Sequence, residues 1–230
     1  MQCERELLDR PGVHVVAARQ PRMRIWQYAT PLWAMAFDAT AIVSVAPELA
    51  RDVERLVRGV DAQRVMDDEH IDRLRAYAAG WAPVERFGPG LWLYCTRDTF
   101  APRYAAEVLP VPSSHPEGRA LRERHRGEVF GVFRKGELVS RSSIKTESDE
   151  AWEIAVTTAE PCRREGLGAT VVSRATEFIL SQGKLALYNC DLSNVASLKL
   201  AESLGYRLFA RDLMWTLEAM WTAWFWGDHG

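Results

Sequence analysis

The sequence predicts an α/β (α+β) protein in two parts. A mixed sheet with flanking helices occupies residues 120–220, a smaller α/β domain precedes it over 1–115, and an aromatic tail closes the chain at 221–230. Three observations carry this reading. Pro110 to Gly118 holds three prolines and a glycine in nine residues, which suits neither a helix nor a central strand and reads as a linker. Behind it, apolar runs of strand and helix period follow in the order hairpin, strand, helix, strand, helix, strand. Between the third strand and the first helix of that half stands Arg163-Arg164-Glu165-Gly166-Leu167-Gly168, a glycine-bearing turn that feeds a helix start.

In the first half, Ala41 to Val45 reads as a short buried strand. Pro47 then opens a helix at a first-turn position where its missing N–H does no harm. Leu49, Val53, Leu56 and Val57 give that helix one apolar face, and Gly59 stops it. Ile71, Leu74 and Ala78 mark a second short helix ending at Gly80, and Leu91 to Cys95 is a further strand. No chemical motif stands in this half.

After the linker, Glu128–Arg134 and Glu137–Lys145 read as two strands joined by a hairpin turn at Lys135-Gly136. Ser148-Asp149-Glu150 is a polar turn, and Ala151–Thr158 is a third strand. Val171, Val172, Ala175, Phe178 and Ile179 form the core stripe of a helix over Ala169–Ser181, closed by Gly183. Leu185–Cys190 is the next strand. Ser193 or Asn194 caps a helix over Val195–Leu204 with Gly205 just past its end, and Leu213–Leu217 is the last strand.

Composition narrows the function classes. Both charge signs are well mixed and the net charge is −2, so there is no basic excess of the kind that marks a nucleic-acid binder. Cys3, Cys95, Cys162 and Cys190 are scattered without a Cys-x-x-Cys pair, which argues against a zinc site or a disulfide framework and suits a reducing cytoplasm. The charged N-terminal stretch has no apolar core, so no secretory signal is expected. No run approaches the ~20 apolar residues of a membrane span. The five histidines never fall at metal-ligand spacing and read as surface or loop residues, so no metal is expected.

A glycine turn at a helix start leaves backbone N–H groups without a helical partner, at the positive end of the helix dipole. That is a site for an anionic phosphate, and Gly166 and Gly168 let a ligand approach the backbone. A plain polar loop capped by glycine has the same local sequence. The segment Asn194-Val195-Ala196-Ser197-Leu198-Lys199-Leu200-Ala201-Glu202-Ser203-Leu204-Gly205-Tyr206 follows about 30 residues later. Arg-x-x-Gly-x-Gly, a helix, a strand and then Asn-x-x-Ser-x-x-Leu-x-x-x-Leu-Gly-Tyr together resemble the GNAT superfamily of acyl-CoA-dependent N-acyltransferases. The likeness covers roughly residues 125 to 218 and is nearest to the group with an added N-terminal domain.

The resemblance implies a splayed central sheet in which acetyl-CoA, as co-substrate, lies in a V between the strands Ala151–Thr158 and Leu185–Cys190. It places the pantetheine arm on the backbone of Val156, Thr157 and Thr158. It places the pyrophosphate on the loop Arg164, Glu165, Gly166, Leu167, Gly168 and Ala169, with Asn194 and Ser197 facing the arm. A simple cap also accounts for Asn194, as does ordinary packing for Ser197. Glu153, beside the expected splay, is the candidate proton acceptor; a surface charge is the competing reading. Many family members carry a tyrosine seven residues after the Asn to protonate the departing thiolate. Ala201 stands there instead, leaving Tyr188 as a substitute or as a half-buried strand aromatic.

The expected function is therefore acetyl transfer to a primary amine, carried by a small molecule or a peptide. The alternative is a non-catalytic module that binds CoA or serves assembly. The acceptor's identity stays open. Trp221, Trp224, Phe225 and Trp226 are too few to span a membrane; they pack on the protein, form a homodimer contact or lie at a bilayer surface.

Overall fold

The computed structural model describes residues 5–18, 30–82, 84–146 and 148–217. In chain order its regular elements are β1 (Gly12–Ala17), β2 (Leu32–Phe37), β3 (Thr40–Val45), α1 (Ala50–Val57), α2 (Asp68–Trp81), β4 (Val84–Cys95), β5 (Leu109–Pro110), α3 (Pro116–His125), β6 (Arg126–Arg134), β7 (Glu137–Lys145), β8 (Ala151–Thr158), α4 (Leu167–Ser181), β9 (Leu185–Asp191), α5 (Val195–Ser203) and β10 (Arg207–Leu217). They fall into two compact units. One takes the chain up to Leu91 and again from Phe209; the other is Trp92–Leu208.

In the first unit β2 and β3 form a tight hairpin, Phe37 opposite Thr40, and β1 runs parallel to β3 from Gly12↔Thr40 to Ala17↔Val45. β10 returns antiparallel to β2, with Leu213 opposite Ala34. Every residue of β3 is buried, which explains an apolar run without alternation. Val53 and Val57 of α1 and Ile71, Leu74 and Ala78 of α2 fill the core with Val43, Leu213 and Trp215. Trp81 meets Trp215 edge-on at 5.4 Å.

The stripes expected for both helices are present, but Pro47–Leu49 forms a short 3-10 turn ahead of α1, and α2 runs one residue past Gly80. β1 and β2 had no expected counterpart. Leu32-Trp33-Ala34-Met35-Ala36-Phe37 has no alternation and two alanines, and its strand form comes from pairing on both sides.

In the second unit β5, β6, β7 and β8 run antiparallel in succession, and β9 joins β8 in parallel. Lys135 and Gly136 take φ of 51° and 85°, the left-handed pair of a two-residue hairpin turn. The helix α4 packs its buried stripe, Val171, Val172, Ala175 and Ile179, against this sheet.

The proline-rich stretch is not a boundary between the two compact units. It lies inside the second unit, where Pro110 pairs with Phe130 on an outer strand and Pro116 opens α3. Both are positions where a missing N–H costs nothing. The division falls within β4, and β10 carries the chain back to the first unit. The tail from 218 onward, with its tryptophans, lies outside the described residues.

Candidate active site

The sheet opens between β8 and β9. Their pairing runs Ala151↔Leu185, Trp152↔Ala186, Glu153↔Leu187 and Ile154↔Tyr188, and stops there. From Ala155 to Thr158 the strand β8 keeps its β7 partner, Ser143 back to Ser140. The edge of β8 that faces the opening is therefore unpaired by strand along Val156, Thr157 and Thr158. An extended ligand with amides of its own fits such an edge as an added strand.

A cleft of about 650 Å³ fills the opening. Its wall includes Val156, Thr157 and Thr158 from β8, Arg164, Gly166, Leu167, Gly168 and Ala169 from the loop and first turn of α4, and Tyr188, Asn194 and Ser197 from β9 and the start of α5. Those eleven are all but two of the expected site residues. Cys162, Arg163, Ala196, Lys199 and Leu200 complete the wall. Leu200 stands three residues after Ser197, a helical spacing that could have pointed to it.

The loop has the geometry of an anion cradle. Arg164 and Gly166 both take the left-handed conformation, φ 66° and 79°, which folds the chain sharply into α4. The first intrahelical bond runs from Thr170 N–H to Gly166 O at 3.0 Å. The N–H groups of Leu167, Gly168 and Ala169 thus have no acceptor within the helix, and all three residues line the cleft. A Cβ on Gly168 would stand 3.0 Å from Leu200 Cδ1 and 3.4 Å from Thr158 Oγ1, in the mouth of the cleft. Arg163, Arg164 and Lys199 add positive charge around it. These features fit a diphosphate followed by an amide-bearing arm.

Asn194, not Ser193, caps α5: its Oδ1 accepts from Ser197 N–H at 3.1 Å. Ser197 Oγ shares a hydrogen bond with the Tyr188 hydroxyl at 2.8 Å. The Tyr188 ring is 1% exposed and packs edge-on against Tyr206 at 5.7 Å. Burial pushes its hydroxyl up, with the Ser197 bond opposing. Ala201, one turn beyond Ser197, is fully buried.

Two expected site residues lie outside the cleft wall. Glu165 points away and pairs with Arg134 at 2.6 Å, both half-exposed. Glu153 projects to the opposite face of the sheet from α4. Trp152 stacks on Phe178 of α4 and Val156 packs on the cluster that holds Leu167 and Val171 of that helix, so the even-numbered side chains of β8 face it and Glu153 does not. There its carboxylate meets Lys145 Nζ at 2.5 Å, the two side chains 13% and 7% exposed.

On the same face His125, at the end of α3, shares a 2.7 Å hydrogen bond between Nδ1 and Ser143 Oγ. Burial, aided by Lys145 and Arg124, pushes its imidazole down to about 4. His125 is 5% exposed, so the expectation of surface or loop histidines fails here. Ser143 and Lys145 share a face of β7 by their spacing of two; the β6–β7 pairing, Arg126 opposite Lys145, brings His125 to them.

Residues 123–211 match the family model of the GNAT acetyltransferases. The segment that holds the cleft wall is thus similar to the GNAT acetyltransferases. No curated protein matches the sequence. Among solved structures, a putative GNAT-family acetyltransferase from Novosphingobium aromaticivorans is similar with a TM-score of 0.51 and 20% identity, over 59% of this chain and 67% of that one. A GCN5-related N-acetyltransferase-like protein from Streptococcus suis aligns over 82% of this chain and 84% of its own, at 20% identity and a TM-score of 0.50. At such identities these likenesses speak for the fold, a mixed splayed sheet with flanking helices. Among the described residues no cluster of His, Cys, Asp and Glu fits a metal ion, and no helix is long and apolar enough to cross a membrane.

Proposed function

We propose that this chain transfers an acetyl group from acetyl-CoA to a primary amine of a small molecule or peptide. The observation that carries the reading is the coincidence of two features in one cleft. The unpaired edge at Val156–Thr158 is a place for the pantetheine amides, and the free N–H groups of Leu167–Ala169 are a place for the diphosphate. Acetyl-CoA would supply the acetyl group as a thioester at the end where β8 and β9 meet.

In this reading the backbone of Val156, Thr157 and Thr158 holds the arm in register, and Asn194 and Ser197 contact it from α5. Tyr188 stays protonated at neutral pH and donates its proton to the sulfur that departs. Tyr188 lines the cleft from β9 with its hydroxyl bonded to Ser197 Oγ, and the next turn of α5 holds the buried Ala201 instead of a phenol. Glu153, beside the point of splay, takes the proton of the acceptor amine, and Lys145 holds its carboxylate in place. A reducing cytoplasmic setting suits the free thiols of Cys95, Cys162 and Cys190.

The test is thiol release from acetyl-CoA across an amine panel. Release that depends on both the donor and one class of amine supports the proposal, and Tyr188→Phe and Glu153→Gln should then each cost about 10²–10⁴-fold in turnover. Ala201, in a position that lacks a phenol, favours a second reading, a CoA-binding module without turnover. CoA binding with no release for any amine would establish that one.

A further inference from the structure

The segment from Thr99 to Val108 has no regular structure, yet it is pinned to α4 and α5 at successive points. Ala101 N–H donates to Leu204 O at 3.0 Å, and Arg103 Nε to Ser203 O at 3.1 Å. Two hydroxyls one turn apart on α4 then catch alternate amides: Arg103 N–H donates to Ser173 Oγ and Ala105 N–H to Thr170 Oγ1, each at 2.9 Å. Beyond them Ala106 and Val108 pack on the cluster of Val132, Val139, Leu167 and Val171. The strap thus ends behind the phosphate loop.

Thr170 differs from Ser173 in what it does next. Its hydroxyl, fully buried, donates a hydrogen bond to Gly166 O at 3.0 Å, the carbonyl that already accepts from Thr170 N–H. The Cβ of Ala105 sits 3.3 Å from where a Cβ on Gly166 would stand, so strap and loop are also in van der Waals reach. Gly166 is the left-handed residue that turns the loop into α4, and the orientation of its peptide decides where the N–H groups of Leu167 to Ala169 point.

We propose that the strap is a splint for the phosphate loop and that Thr170 is the positioning residue that couples them. This rests on the reading of Arg164–Ala169 as the diphosphate cradle, and it assigns part of CoA affinity to residues that never touch CoA. With the hydroxyl in place the loop is ordered before the ligand arrives; without it, binding must order the loop.

The test compares Thr170→Val, Thr170→Ser and Ser173→Ala by titration with CoA and with pantetheine, which lacks the diphosphate. Thr170→Val keeps the shape and should weaken CoA about five- to tenfold, the scale of one lost hydrogen bond, while pantetheine is unchanged. Thr170→Ser should restore CoA affinity. Ser173→Ala also loses a strap bond but has none to the loop, so it should bind CoA like the wild type even if its melting temperature falls as far. Wild-type CoA affinity in folded Thr170→Val, or an equal loss in Ser173→Ala or for pantetheine, overturns the splint alone. Failure of the wild-type chain to bind CoA overturns the diphosphate reading beneath it. If Thr170→Val does not fold, Thr170→Ser and Ser173→Ala decide: equal losses of CoA affinity in both reject the coupling role.

Discussion

At the scale of single residues, burial sets the chemistry. His125 has an imidazole pushed down to about 4, so between roughly pH 6.5 and 4 the unfolded chain takes up a proton that the folded chain refuses. The stability this residue contributes is therefore full above about 6.5 and falls as the pH drops toward 4. His125→Gln should flatten the melting-temperature profile over that window, and at pH 7 it should cost about 1 kcal/mol for the Ser143 bond. A profile as steep as the wild type's would place the acid sensitivity elsewhere. Asn194 caps α5 through its Oδ1 and lines the cleft, which is the ground for proposing a second role in CoA contact. Asn194→Ala should lower stability by about 1 kcal/mol and weaken CoA, whereas Asn194→Asp should recover the stability without the affinity. Full CoA affinity in the alanine variant would leave the cap as its only role.

At the scale of elements, turns and helix ends decide how much was legible. Lys135-Gly136 between two strand-like runs announced its hairpin, and the left-handed angles at both residues agree. Lys135→Asn, better suited to that conformation, should stabilise the chain by a few tenths of a kcal/mol, read as a higher melting temperature. Gly205 is tighter: its φ is +87° and a Cβ there would stand 1.7 Å from Thr99 O. Gly205→Ala should cost more than about 2 kcal/mol, because both the backbone conformation and the strap forbid it. Strands flanked by glycine turns and helices with clear stripes were readable because their signals are local. The wall of the cleft was readable because a loop and a cap carry its motifs. β1, β2 and the strap were not, since each depends on partners distant in sequence, and the Lys145–Glu153 pair was not, since it depends on the β7–β8 register. The prolines of Pro110–Gly118 misled for a related reason: proline marks any place where an N–H is dispensable, an edge strand or a helix start as well as a linker.

At the scale of the whole molecule, residues 92–208 form one compact unit that holds the entire cleft wall. A fragment of those residues should bind CoA, while one that starts at Leu121 should fail to fold, because it loses the strap and with it Ala106 and Val108 from the packing behind α4. Equal circular-dichroism melts for the two would refute this. Michaelis constants for the amine in the 92–208 fragment, set against those of the full chain, test the proposal that the N-terminal part of the chain takes part in acceptor selection. The central claim, that acetyl-CoA occupies the opening between β8 and β9, is tested most directly by calorimetric titration of acetyl-CoA into the full chain and its Gly168→Val variant. The account predicts one site per chain in the wild type and a severe loss of affinity in the folded variant, where the new side chain fills the mouth of the cleft. Undiminished binding by Gly168→Val, or none by the wild type, would contradict it.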